Sequence, residues 1–275
     1  MYAGTWADSG AYDEEWAKGG FVKLLAFLRN ETYEEAEDYL LELYGRDFDN
    51  GDKITLRMPK LKARDTRAIE LSPTLLAVYS EDYSYLAGRG IIENVQRLAG
   101  IRYDSKSRAV VIPWFDANGR LRNVKYRTVY GKTFWYHRGA TPVRELVYGI
   151  DSVWNNSAEV AVLEEAEIDA LCWRTVGAYG IAVGGATFTN KQADIIKRSP
   201  IKTLYISGDN DKAGHKFASQ AFDKLRRYVD IRKIDKPQGI KDTNEALMKG
   251  ENIQDFLDSS INVDKLCVNI TNITI

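Results

Sequence analysis

Apolar positions follow two rhythms along this chain, and the change comes near residue 150. Before it, residues 20–29 (GFVKLLAFLR) and 33–44 (YEEAEDYLLELY) repeat apolar side chains at helical spacing, which predicts two short amphipathic helices. Thr32 with Glu35 three residues later makes a capping-box pattern for the second, and Gly45 suits its end. The polar, then basic, stretch 46–67 breaks the rhythm and predicts a linker or extended segment. Ser72-Pro73 predicts the start of another helix. From Arg108 the pattern shortens. Residues 108–115 (RAVVIPWF) and 120–127 predict strands around the turn Asp116-Ala-Asn-Gly119, and 133–137 predicts a third strand after Gly131, so an antiparallel meander is expected.

After residue 150 short continuous apolar runs alternate with helical patterns. Strands are predicted at 159–164, 180–184, 202–207 and 229–234, and helices at 167–176, 189–198, 213–227 and 242–249. Unbroken apolar runs mark strands buried on both faces, and β-α-β-α order favours a parallel, doubly wound sheet. The expected division is a helical segment over 1–50, a basic mixed subdomain over 51–150, the parallel-sheet domain over 151–250, and a C-terminal helix and tail over 251–275. The fold class is thus α+β followed by α/β. The β-prone tail 261–275 (INVDKLCVNITNITI) adds an edge strand or meets a partner.

Composition narrows the setting. An apolar share of 44% and a charged share of 28% fit ordinary soluble cores. No run of eighteen apolar residues exists, so no membrane span is expected, and the N-terminus lacks the basic and apolar regions of a signal peptide. Cys172 and Cys267, the two cysteines, fit a reduced, cytoplasmic protein, and with His137 and His215 as the two histidines no zinc site is expected. A net charge of −1 conceals strong local polarity. Residues 57–67 hold five basic residues and one acid; residues 120–138 hold six Lys/Arg, five aromatics and no acid; residues 159–169 hold five acids and no base. A near-neutral chain can therefore still present a phosphate-binding surface.

Candidate chemistry sits where strands end. Glu165 and Asp169 follow the strand at 159–164, four apart, and are expected to share a helical face. Asp209 and Asp211 follow the strand at 202–207, with Gly214 letting the next helix start close to the sheet. Ligands of open parallel sheets collect beyond the carboxyl ends of the strands, so the two clusters should meet. Crowded carboxylates repel unless a cation lies between them, and hard oxygen ligands point to Mg²⁺ or Mn²⁺. The plainer alternatives are that the first acids complement a helix dipole and that Asp211 and Asp242 are N-caps. Lys241 beside Asp242 is placed to face phosphate.

The segments LEEAEIDAL, AVGGAT, YISGDNDKAG and GIKDTNEAL, in this order, resemble the TOPRIM fold of DnaG-type primases, topoisomerases and some nucleases, whose pattern is E-G-x-x-D followed by D-x-D-x-A-G. Upstream, Tyr85–Ile91, Ile101–Asp104, Val110–Pro113, Asp116–Arg120 and Val124–Arg127 resemble the basic subdomain of bacterial DnaG and phage primase–helicases. GKTFWYHRG followed by LVYGID is similar to the phage branch. The resemblance spans roughly residues 20–250. It implies a Rossmann-like domain in which Glu165, Asp209 and Asp211 are catalytic and hold two divalent ions, with Asp169 and Asp242 nearby. It also implies that Lys125, Arg127, Lys132, Lys241, Arg120 and Arg122 bind nucleotide triphosphate or template.

Three departures qualify it. Ala166 replaces the family's Gly, the zinc module's cysteines are absent although residues 1–19 resemble its eroded remnant, and no G-x-x-x-x-G-K-[ST] phosphate loop is present. The expected activity is metal-dependent RNA primer synthesis from NTPs on single-stranded DNA, in the cytoplasm of a bacterial or phage-infected cell. A replicative helicase or a zinc-bearing partner chain would supply what is missing. The alternatives are a TOPRIM-type nuclease and a non-catalytic replication-accessory module.

Overall fold

The structure is a computed structural model and describes residues 5–7, 18–29, 33–44 and 70–262. The expected capping box at Thr32, the linker 46–67 with its basic run, and the tail beyond 262 lie outside these residues. The chain divides into two compact units, Met1–Ile69 and Glu70–Ile275.

In the first unit, β1 (Thr5–Ala7) pairs antiparallel with β2 (Lys18–Gly20), with Trp6 opposite Gly19. Helices α1 (Phe21–Arg29) and α2 (Tyr33–Tyr44) follow where their apolar spacing predicts them. The Trp6 indole donates to the Gly20 carbonyl at 3.2 Å and stacks on Phe27, so the small sheet is tied to α1 through one aromatic contact.

The second unit opens with a 3₁₀ helix, Pro73–Val78, started by the Ser72 hydroxyl, which accepts from the Thr74 N–H. The helix expected to start at Ser72-Pro73 is thus present in the tighter 3₁₀ form. Two short helices, α3 (Ser84–Ala87) and α4 (Glu93–Leu98), lead into the meander. Strands β3 (Arg102–Asp104), β4 (Ala109–Phe115), β5 (Leu121–Thr128) and β6 (Phe134–Tyr136) pair antiparallel in that order. Asp116 builds the β4–β5 turn, its carboxylate accepting from the Asn118 and Arg120 N–H groups. One face of this sheet, with Ala109, Val111, Val124 and Tyr126, packs under Leu75 and Tyr79 of the 3₁₀ segment.

Beyond Gly149, α5 (Ile150–Asn155), β7 (Val160–Glu164), α6 (Glu167–Thr175), β8 (Gly180–Ala182), α7 (Asn190–Lys197), β9 (Thr203–Ile206), α8 (Lys212–Leu225), β10 (Asp230–Lys233), α9 (Thr243–Met248), α10 (Gln254–Asp258) and β11 (Ile261–Asn262) follow. The sheet order is β11-β10-β9-β7-β8. The pairings among β10, β9, β7 and β8 are parallel, and β11 closes one edge antiparallel, so the tail begins as an edge strand. Alternation sorts the strand residues between two cores. Ala161, Leu163 and Ile181 join side chains of α5, α7 and α8 on one face. Val162 and Ala182 join α6, α9 and the Val110, Ile112 and Trp114 face of β4 on the other. One apolar cluster therefore runs across the division expected near residue 150. Among the described residues no helix is long and apolar enough to cross a membrane.

Candidate active site

Three strand-to-helix turns meet at the carboxyl edge of the parallel sheet. Strand β7 ends at Glu164, Glu165 occupies the bend that follows, and α6 begins at Glu167. Glu165 therefore lies ahead of the helix, and the shared helical face expected for Glu165 and Asp169 is corrected. Ala166 is the N-cap at φ −113°, ψ 152°, ordinary extended backbone open to any residue, so the methyl in place of the family's Gly strains nothing. The Glu165 carbonyl accepts from the Gly184 and Gly185 N–H groups at 2.8 and 3.0 Å, and its carboxylate accepts from the Asp209 N–H at 3.0 Å. The turns after β7, β8 and β9 are joined through this one residue.

Asp211 is the N-cap of α8, its Oδ1 accepting from the Gly214 N–H at 2.9 Å. Asp242 caps α9 in the same way through the Glu245 N–H at 2.7 Å. The capping roles are thus real, and each leaves its carboxylate a second oxygen. The Asn210 N–H donates to the Lys241 carbonyl, which brings the Asp242 turn alongside. Lys241 is exposed, its Nζ 4.0 Å from Asp209 Oδ2. A cavity of about 50 Å³ opens beside Asp209, lined by Asn210, Gly214, His215, Lys233 and Lys236. His215 is exposed on α8 and also borders this cavity.

Behind Glu165 lies a second tier. Glu164 is buried and accepts at 2.6 Å from both the Trp173 indole and the Thr243 hydroxyl. Asp169 is buried and accepts from the Asn244 N–H at 2.8 Å, while the Asn244 side chain bonds Arg89 and Cys172. Two elements of α9 thus hold two acids of the β7–α6 segment.

Crowding shows in the protonation. Burial first, and then the Asp209 charge, push Glu165 up to about 8. Asp209 is raised to about 6, chiefly by burial, with Lys236 pulling against it and Glu164 and Asp242 adding to it. Asp169 lies well above the usual carboxylate range through burial and the charges of Glu164 and Asp242. At neutral pH Glu165 keeps a proton that a cation would displace. Among the described residues no three Asp, Glu, His or Cys side chains converge as a ready-made ion cage. The donor set still fits a hard divalent ion: carboxylate oxygens of Glu165 from the turn after β7 and of Asp209 and Asp211 from the turn after β9, with like charges pressing on them.

Gly214 is required by close approach. A Cβ there would lie 2.0 Å from the Asp209 carbonyl oxygen. Gly214→Ala is expected to cost about 3 kcal/mol of stability, because the Asp209–Asp211 turn must move to admit the methyl. Urea unfolding of the variant beside the unsubstituted chain measures this, and a loss under about 0.5 kcal/mol contradicts the packing argument.

The expected basic residues do not form one patch. Lys125 is buried on β5, its Nζ 2.9 Å from Glu167 Oε2 and 4.2 Å from the Phe134 ring centre. Arg127, two residues on and on the same face, is half-buried, with its Nε buried and without a partner among the described residues. Arg122 is held by Asp116 at 2.6 Å, and the half-exposed Arg120 lies 3.8 Å from Glu70. Lys132 is exposed in the β5–β6 turn. Arg120 and Lys132 stand off opposite ends of β5, whose eight residues span roughly 26 Å. Sequence reasoning missed Glu164, Glu167, Trp114, Thr243 and Asn244. Glu164 was visible in the string LEEAE as an acid inside an apolar run; nothing in the sequence pairs Glu167 with Trp114 or Lys125.

Residues 162–247 match the family described as Toprim-like. An uncharacterized protein of Mycoplasma genitalium, MG010, is 28% identical over 186 residues, covering 62% of this chain and 81% of that one. The Aquifex aeolicus primase, in its zinc-binding and RNA polymerase domains, is similar with a TM-score of 0.59 and 20% identity over 90% of this chain and 72% of that one. The primase fragment of the bacteriophage T7 primase-helicase is similar with a TM-score of 0.57 and 22% identity, covering 73% of this chain and 82% of that one.

Proposed function

We propose that this chain, a Toprim-like domain set into the fold of a DnaG-type primase catalytic core, joins ribonucleotides into short RNA primers on single-stranded DNA. The observation that carries the reading is the Glu165–Asp209 contact, which gathers acids from the turns after β7 and β9 beside a basic, aromatic meander. Glu165, Asp209 and Asp211 would hold Mg²⁺ or Mn²⁺, with Asp169 and Asp242 behind them. When bound, such ions lower the pKa of an attacking 3′-hydroxyl and neutralise charge on the triphosphate.

The chain's own groups account for the rest. Lys241, 4.0 Å from Asp209, offers a cationic contact to phosphate beside the acids, and Arg127 offers another from β5. Lys132 and Arg120, well apart, suit an extended polyanion better than one compact ligand, and half-buried Phe134 and Tyr136 give bases a stacking wall. Phosphoryl transfer on this plan depends on placement and charge neutralisation rather than on a covalent intermediate. The same acids in a TOPRIM nuclease would activate water, and one experiment separates the two. With labelled ribonucleotides, single-stranded DNA and Mg²⁺ or Mn²⁺, a ladder of short products is expected. Shortened DNA without a ladder would instead make the chain a nuclease.

A further inference from the structure

We infer that Lys125 and Glu167 are positioning residues that align Glu165 for its ion, and that Lys125 is not a contact to the triphosphate. The inference rests on the reading of Glu165 and Asp209 as metal ligands. Glu167 opens α6 two residues after Glu165, with the extended Ala166 between them. It is 2% exposed, and both its carboxylate oxygens are claimed by the meander. Oε1 accepts from the Trp114 indole at 3.1 Å, and Oε2 accepts from Lys125 Nζ at 2.9 Å. The Lys125 ammonium is itself held against aromatic faces, 4.2 Å from the Phe134 centre and 5.6 Å from that of Tyr136.

Trp114 also braces Glu165 from the other side. Gly184, at φ +76°, packs so closely on the Trp114 ring that a Cβ would lie 2.8 Å from it. The Gly184 and Gly185 N–H groups bond the Glu165 carbonyl. The meander thus grips the chain just after Glu165 through Glu167, and grips the loop that holds Glu165's backbone through Trp114. Glu165 is left little freedom except at its carboxylate.

Stability alone does not account for this arrangement. A buried ion pair is often matched or bettered by apolar side chains of the same size, because desolvation cancels the attraction. A fixed geometry is what such a pair supplies that apolar side chains do not. Groups that orient a metal ligand commonly matter about ten- to hundredfold in metal affinity.

The test is Mn²⁺ affinity of the full chain by electron paramagnetic resonance, beside thermal melting, for Lys125→Met, Glu167→Gln and the double variant. Each single variant strands one buried charge, so both melting temperature and affinity should fall, the affinity by about ten- to hundredfold. The double variant strands none. Its melting temperature should recover while its Mn²⁺ affinity stays low, and that combination supports positioning. If affinity recovers together with melting temperature, or never changes, the inference is overturned. If the unsubstituted chain and Asp209→Asn fail alike to bind Mn²⁺, the metal-site reading falls and takes the inference with it. Normal Asp209-dependent binding with unchanged variants removes the inference alone.

Discussion

Asp209→Asn is expected to cut primer synthesis by about a thousandfold or more while making the metal-free chain harder to melt. Groups that neutralise charge in phosphoryl transfer contribute on the order of 10³-fold or more, and Asn keeps the shape but loses the charge that would hold the ion. The contact to Glu165 comes from the Asp209 backbone N–H, so the substitution leaves it in place. The stabilising half follows from the raised pKa. Asp209 titrates at about 6, above its ordinary value, so at neutral pH it is ionised in surroundings that resist the charge. Removing that charge should add about 1 kcal/mol, or roughly 2–4 °C for a chain of this size. Ribonucleotide incorporation and melting in EDTA measure the two effects. Activity within about tenfold of the unsubstituted chain would exclude Asp209 from the chemistry.

Divalent ions should stabilise the chain strongly, and more at high pH than at low pH. Glu165 ordinarily titrates at 4.5 and is pushed up to about 8 in the folded chain. Between those values the folded state holds a proton that the unfolded chain has released. Its contribution to stability is complete below about pH 4.5 and drains away as pH rises through about 8. For a half-buried carboxyl the loss is on the order of 2 kcal/mol after allowing for solvent screening. The raised Asp169 shifts the balance in the same direction. A cation reverses the trend, because it binds the deprotonated form that crowding disfavours. Melting with Mg²⁺ and with EDTA at about pH 6 and pH 8 should show the larger metal increment at pH 8. An increment that is equal or smaller there would show that the crowded acids are not where the ion binds.

Much of this architecture is legible in the sequence, and the reasons are physical. Strands β7 and β8 are buried on both faces and read as apolar runs, β9 alternates buried and half-buried positions, and β10 buries Ile231 alone between polar residues; all four lie within two residues of the predicted ranges. The meander was legible from alternation and from the Asp116–Gly119 turn. Elements too short to complete a period left no rhythm to read: β1, β2, β3 and α5 have three to six residues each. At the site, Glu165, Asp209 and Asp211 stood out because each follows an apolar run. Their neighbours did not. Glu167 meets Trp114 and Lys125 across 53 and 42 residues, and Glu164 meets Thr243 across 79, separations over which local pattern carries no information. The burial of Lys125 was hidden for a related reason. In a basic, aromatic stretch a buried lysine looks the same as an exposed one.

The hold of α9 on the acids also sets the order in which the molecule can be completed. Glu164 and Asp169 emerge first, and their partners Thr243 and Asn244 emerge 79 and 75 residues later. At about 5–20 residues per second, several seconds separate the two. During that interval the carboxylates stay hydrated, because burying them without donors is costly. The four parallel strands have left the ribosome by then and can already collapse, while the edge strand β11 follows α9. Closing α9 over the acids is therefore a late step, so a nascent chain acquires its parallel strands before it acquires its site.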